Sequence, residues 1–150
     1  MILRAWQCFV APGDEYEPLP LRTGIWYAGR RVRFPKEHWE RILEFAETVN
    51  SPAAQALRSY TDKDDFHYVD LTPRELEALL EFTDELQWRV MTEEPLVPST
   101  SERFYEAFAN DEHARMLKAV AAVFRESQRL REPFAVYVDY KRYDEPEPGG

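Results

Sequence analysis

The chain has few of the residues on which small catalytic or disulfide-braced proteins usually depend. Its 150 residues include one cysteine, three histidines and five glycines. The single cysteine, Cys8, excludes an intramolecular disulfide and a thiolate metal cluster, and we predict that it is a small buried hydrophobic residue. The glycines are too scattered for a phosphate-binding or dinucleotide-binding loop, and no GxSxG nucleophile motif occurs.

Long apolar runs are also scarce. The longest, residues 119–124, is far too short to cross a bilayer, and the first residues lack the apolar core of a secretory signal. We therefore expect a soluble, cytoplasmic protein that does not contact membranes. Because 44% of the residues are hydrophobic and 14% aromatic, we expect one globular domain over residues 1–143. Residues 144–150, rich in Pro, Glu and Gly, indicate a flexible tail.

Hydrophobic periodicity predicts a single α+β domain, with helices packed on a small, largely antiparallel sheet. The clearest local signal is Thr72-Pro73-Arg74-Glu75, a capping box that begins a helix. Helices are predicted over residues 35–49, 51–60, 73–91 and 102–131. Strands are predicted over residues 2–10, 66–71 and 134–140, with a hairpin formed by 25–27 and 31–34 around Ala28-Gly29.

The three histidines lack the spacing of a metal site. In the predicted strand over residues 66–71, side-chain alternation places His67 and Asp70 on opposite faces, so His67 is interpreted as a strand-edge histidine. His38 and His113 each have an aliphatic residue at i+4 instead of a second ligand. Both are interpreted as helix-surface histidines, and we expect neither a metal nor another cofactor.

A basic cluster interleaved with aromatic residues could suggest a nucleic-acid surface. Four cations are weak evidence in a chain of net charge −9. The favoured interpretation is a hairpin rim that pairs with acids of the same chain, so nucleic acid is not an expected partner. The cluster comprises Arg30, Arg31, Arg33 and Lys36, among Trp26, Tyr27 and Trp39.

Negative charge is concentrated in one third of the chain. Residues 62–112 contain fifteen acidic and four basic side chains, a net charge of −11, whereas the whole chain carries −9. The remaining residues are therefore nearly neutral. A local excess of this kind creates a field that steers basic molecules, so we expect a basic protein partner.

The predicted helix over residues 73–91 presents this charge in an ordered way. Its acids recur at i, i+4, i+7 and i+8, and Trp88 extends the same stripe by one turn. Each like-charged pair costs about 0.2–0.5 kcal/mol in an isolated helix, and no basic residue lies between them to relieve it. The alternative is a merely solvated face, and spacing leaves open whether Trp88 is exposed or core. The predicted partner-binding residues are Glu77, Glu81, Asp84, Glu85 and Trp88, with Asp62, Asp64 and Asp65 before the helix. Glu93 and Glu94 add further acidic charge after it.

These features favour a non-catalytic protein-binding module. The specific hypothesis is an immunity or antitoxin-type inhibitor whose acidic surface occludes a basic toxin or enzyme. One alternative is a small-ligand-binding protein or enzyme with a pocket between sheet and helices built from Trp6, His67, Tyr68 and Tyr137. Another is a regulatory or structural subunit that uses the acidic face within an oligomer, including a homo-oligomer.

Overall fold

The computed structural model describes residues 2–10, 19–20, 26–27, 30–92 and 110–142, with side chains at 4–10, 30–92 and 113–139. Within these ranges, four helices and six strands form the α+β architecture that the periodicity predicted. The strands are β1 (Ile2–Val10), β2 (Leu19–Pro20), β3 (Trp26–Tyr27), β4 (Arg31–Pro35), β5 (His67–Val69) and β6 (Phe134–Arg142). The helices are α1 (Lys36–Val49), α2 (Ser51–Thr61), α3 (Pro73–Thr92) and α4 (Asn110–Leu130).

The strands form one sheet in the order β2-β3-β4-β1-β6-β5, and every neighbouring pair is antiparallel. β1 pairs with β6 along its whole length, from Ile2 opposite Arg142 to Val10 opposite Phe134. β5 is shorter than the predicted strand over residues 66–71, because residues 70–72 leave the sheet to begin α3.

The core lies between one face of this sheet and the helices. Alternation along β1 directs Trp6, Cys8 and Val10 into it. Cys8 is fully buried, as predicted, and desolvation therefore raises the pKa of its thiol far above the ordinary value. On the two strands beside β1, Val32, Phe34 and Val136 complete the same layer.

Thr61, the last residue of α2, joins that helix to the tryptophans of the core. The rings of Trp6 and Trp39 stack at 4.4 Å with an interplanar angle of 12°. Trp6 Nε1 donates to the Thr61 carbonyl oxygen at 2.8 Å, and Trp39 Nε1 donates to Thr61 Oγ1 at 3.0 Å. The hydroxyl in turn donates to the Leu57 carbonyl at 2.7 Å. Both buried indole N–H groups therefore have an acceptor on one residue.

Helix α3 begins with the predicted capping box. Thr72 N donates to Glu75 Oε1 at 2.9 Å, and Glu75 N donates to Thr72 Oγ1 at 3.2 Å. Hydrogen bonds from the backbone and the side chain of Thr72 lower the pKa of the Glu75 carboxyl. The helix start therefore satisfies two backbone donors that would otherwise lack helical partners.

Helix α4 ends in a left-handed turn. Arg131 follows the helix with a φ of 56°, and Glu132 N donates to the Ser127 carbonyl at 3.2 Å, which closes the helix end. Glycine is preferred at such a position because it has no Cβ, and another residue there costs about 1–2 kcal/mol. The backbone alone therefore does not explain an arginine here.

Some sequence predictions concern residues outside the described ranges. They are the hairpin turn at Ala28-Gly29, the first part of the predicted helix over residues 102–131, and the predicted tail at 144–150.

Replacement of Thr61 by Val should destabilise the fold by about 1–3 kcal/mol, because Trp39 Nε1 would be buried without an acceptor. Thr83→Val is the matched control: Thr83 is also buried and also donates to the carbonyl four residues earlier, Leu79, but the structure shows no indole donating to it. Free energies of unfolding from urea denaturation should show a clearly larger loss for Thr61→Val. Equal losses would contradict this role of Thr61.

Candidate functional site

Helix α3 divides its residues between a buried and an exposed side. Its apolar residues pack mainly against α4 and partly against α2. Glu77, Glu81 and Glu85 are exposed and Asp84 is partly exposed, so the four acids line the outer side that their spacing predicted. The buried residues are Leu76, Leu79, Leu80, Phe82, Thr83, Leu86 and Val90.

Trp88 extends this acidic stripe as an exposed aromatic residue. It is 75% exposed, and Met91, one turn further along, is 53% exposed. Together with Asp84 and Gln87 they line a shallow groove of about 450 Å³. Periodicity alone did not decide whether Trp88 is exposed or lies in the core. In the structure it is exposed, because Leu86 and Val90 occupy the buried side of that turn.

One acid of the stripe is neutralised by another helix. Arg125 of α4 contacts Asp84 with an Nη2 to Oδ2 distance of 2.6 Å. No basic residue lies between the acids of the stripe, but Arg125, 41 positions away along the chain, relieves the repulsion at Asp84. Both side chains are about half exposed, so the pair contributes at most about 1 kcal/mol. Among the described residues, Glu77, Glu81 and Glu85 have no ion-pair partner.

The acids predicted before α3 lie in the connection from α2 to β5. The nearly buried ammonium of Lys36 contacts Asp64 and lies 3.6 Å from Asp62 Oδ1. The hydrogen bond and charge of Lys36 lower the pKa of Asp64. Asp65 is exposed, and its carboxylate has no partner in the described part of the chain. Two of these three acids therefore hold a buried cation, and no described contact joins them to the α3 stripe.

The basic cluster is also largely engaged within the chain. Arg30 Nε lies 3.4 Å from Glu126 Oε1, Lys36 is held by the acids above, and the Arg31 guanidinium lies 4.7 Å from the centre of the Phe9 ring. Trp39 is buried in the core. The predicted intramolecular pairing with acids is thus present at Arg30 and Lys36, and these residues do not form a shared stacking surface with Trp39.

The four residues of the alternative pocket are not brought together. Trp6 is buried under the helices, whereas Tyr137 lies on the opposite face of the sheet by strand alternation. Tyr68 is on that second face and is exposed, and its ring packs on Phe66 with centroids 5.0 Å apart. His67 pairs in register with Val136, on the face opposite Tyr68, as alternation predicted.

No described group of three or more His, Cys, Asp or Glu side chains could hold a metal ion. His67, the strongest candidate in the sequence, is exposed, and its Nδ1 lies 2.9 Å from the Asp65 carbonyl oxygen. That distance fits a ring whose Nδ1 carries the proton and donates it.

Two histidines lie where the sequence analysis did not place them. His38 of α1 and His113 of α4 are each 1% exposed, and their ring centroids are 5.4 Å apart. The prediction of helix-surface histidines is therefore wrong, because both rings are buried and lie against each other. Burial, with the nearby His113 and Arg41, lowers the pKa of His38 to about 2.

Comparisons with known proteins add no family to this description. No protein-family model, curated protein or solved structure matches the chain. The described helices include none that is both long enough and apolar enough to span a bilayer.

The buried His38 should make folding sensitive to mild acid. Its pKa is about 2 in the folded state and ordinarily 6.5, so below pH 6.5 only the unfolded state binds this proton. The contribution of His38 to stability is therefore fully present above pH 6.5 and falls by about 1.4 kcal/mol between pH 7.5 and 5.5. It continues to fall towards the folded-state pKa.

Chemical denaturation of the His38→Gln variant across this range would measure the effect. The free-energy difference between the unsubstituted protein and His38→Gln should shrink or reverse as the pH decreases. The exposed His67→Gln is the matched control for loss of an imidazole. A stability difference for His38→Gln that stays constant from pH 7.5 to 5.5 would contradict the assignment.

Proposed function

We propose that this protein is a non-catalytic binding module that presents the exposed side of α3 to a basic protein. The observation that carries the proposal is Trp88, an indole 75% exposed at the end of a stripe of glutamates that have no ion-pair partner among the described residues. Tryptophan is among the residues most enriched in the energetic centres of protein interfaces. Met91 adds adaptable apolar area beside it.

The two parts of this surface have different tasks. Glu77, Glu81 and Glu85 are exposed, so their charges accelerate encounter with a basic partner more than they strengthen the docked complex. Trp88 and Met91 lose water on docking and slow dissociation. Within this class, we favour an immunity or antitoxin-type inhibitor that covers a basic surface of a toxin or enzyme, because both the size of the chain and the sign of the surface suit occlusion of a nucleic-acid-binding site.

The glutamates should be tested by charge reversal of two exposed pairs of glutamates on different helices, of which only the control pair includes an ion-paired acid, Glu47, which lies 3.5 Å from Arg58. Glu77→Lys/Glu81→Lys alters the stripe, and Glu44→Lys/Glu47→Lys alters exposed acids of α1, so both variants change the net charge from −9 to −5. The α3 variant should keep its fold, because the repulsion between residues 81 and 85 becomes an attraction, while residues 77 and 81 remain a like-charged pair. Its association rate with the co-purified native partner should fall at least about tenfold at low salt and lose much of its salt dependence.

Surface plasmon resonance with the partner identified by mass spectrometry would provide these rates. Equal effects of the two charge reversals would indicate non-specific attraction and contradict a site on α3. An acidic partner would contradict the inhibitor hypothesis. So would a partner whose activity is unchanged when this protein binds to it.

Trp88→Ala should raise the dissociation rate by about tenfold or more and leave the free energy of unfolding nearly unchanged, because the indole is exposed. Leu86→Ala, two residues earlier on the buried side, is the control that should destabilise the fold by about 2–5 kcal/mol. Light scattering on both proteins would detect self-association. A stable homo-oligomer that Trp88→Ala dissociates would favour the oligomer hypothesis over a foreign partner.

A further inference from the structure

A cavity of about 490 Å³ lies where the connection from β5 to α3 meets the connection from α4 to β6. Val69, Leu76 and Phe134 form a buried apolar floor. This volume falls within the range of small-molecule sites, which combine an apolar lining with a few polar groups. The exposed polar residues that line its rim are Asp70, Gln128, Arg131 and Glu132.

The rim carries charges of both signs that the described part of the chain does not neutralise. The carboxylates of Asp70 and Glu132 and the guanidinium of Arg131 form no ion pair with one another or with any other described residue. By contrast Arg129, two residues before Arg131, donates to both oxygens of Glu126 at 2.6 and 3.0 Å. The charges around the cavity are therefore available to a ligand that has both signs.

The backbone of Arg131 gives independent support. This residue adopts the left-handed conformation that ends α4, where glycine or asparagine would close the helix with less strain. Helix termination alone would therefore favour glycine or asparagine over arginine at position 131. The guanidinium at the cavity rim supplies a reason for the arginine, since strained residues concentrate at ligand sites.

We propose that this cavity binds a small zwitterionic amphiphile of the kind represented by a free amino acid with a large apolar side chain. The ligand's carboxylate pairs with Arg131, and its ammonium group pairs with Asp70 and Glu132. Its apolar part covers Val69, Leu76 and Phe134. A purely anionic amphiphile would meet two uncompensated carboxylates, and a purely cationic one would leave Arg131 without a partner.

This site is separate from the proposed protein-binding surface. Leu76 lies in the first turn of α3, whereas Trp88 lies twelve residues later, about 18 Å along the helix axis. An experiment that contradicts the cavity proposal would therefore leave the proposed protein-binding surface untouched, and the reverse also holds.

Three probes that share a phenyl ring and differ in their head group would test the ligand class. L-phenylalanine is zwitterionic, 3-phenylpropanoate is anionic and 2-phenylethylamine is cationic. Each would be titrated to about 10 mM into the full chain labelled with ¹⁵N. Ligands of this size can reach Kd values of about 1 mM, so this concentration would nearly saturate such a site. L-phenylalanine should shift the amide resonances of residues 69–76 and 127–134 at the lowest concentration of the three.

Two variants at Arg131 remove the charge without endangering the fold. Arg131→Gly and Arg131→Asn both suit the left-handed turn, so their Tm should equal or exceed that of the unsubstituted protein. Both should weaken L-phenylalanine binding at least about tenfold. Asp70→Asn/Glu132→Gln should weaken L-phenylalanine binding but strengthen that of 3-phenylpropanoate. Arg125→Gln, which removes a cation of α4 that does not line the cavity, should leave all three affinities unchanged.

Several results would overturn the proposal. One is the absence of L-phenylalanine shifts around the cavity. Another is binding of either singly charged probe as tightly as the zwitterion. A third is unchanged L-phenylalanine affinity in the folded Arg131 variants.

Discussion

Two indole N–H groups buried beneath the sheet determine how three elements of this fold meet. A buried donor without an acceptor is costly, so Trp6 of β1 and Trp39 of α1 both require one. Thr61 supplies both acceptors from the last turn of α2. The end of α2 is thereby placed against β1 and α1. The next residues then bring Asp62 and Asp64 to Lys36, and the Asp64 carbonyl accepts a hydrogen bond from Val138 of β6.

This arrangement separates two kinds of acidic residue that look alike in the sequence. Asp62 and Asp64 hold an ammonium that is nearly buried, so their charges contribute to the fold. Glu77, Glu81 and Glu85 have no such partner in the described structure, and their mutual repulsion is a small cost to the free protein. Acids whose charge the fold does not use are the ones available for recognition, which is why the proposed surface centres on α3.

Much of the fold could be predicted from local patterns, because those patterns report short-range geometry. The alternation of β1, the helical stripe of α3 and the capping box at Thr72 all recur in the structure. The buried histidines show where such reasoning failed. His38 and His113 lie four residues before Ile42 and Leu117, so each extends an apolar stripe, and periodicity pointed inwards. The polar imidazole instead favours an exposed position, and in this fold the position along the stripe prevails.

The sequence by itself determined most of the described helices and strands, the α+β class and the location of the negative charge, since each depends on residues close together along the chain. Only the tertiary structure decided that Trp88 is exposed, that Arg125 neutralises Asp84, and that two distant connections enclose a cavity. These properties depend on contacts between residues tens of positions apart. Local spacing carries no information about such contacts. The packing of helix faces against one another depends on how the whole chain buries its apolar side chains and provides hydrogen-bond partners for its buried polar groups.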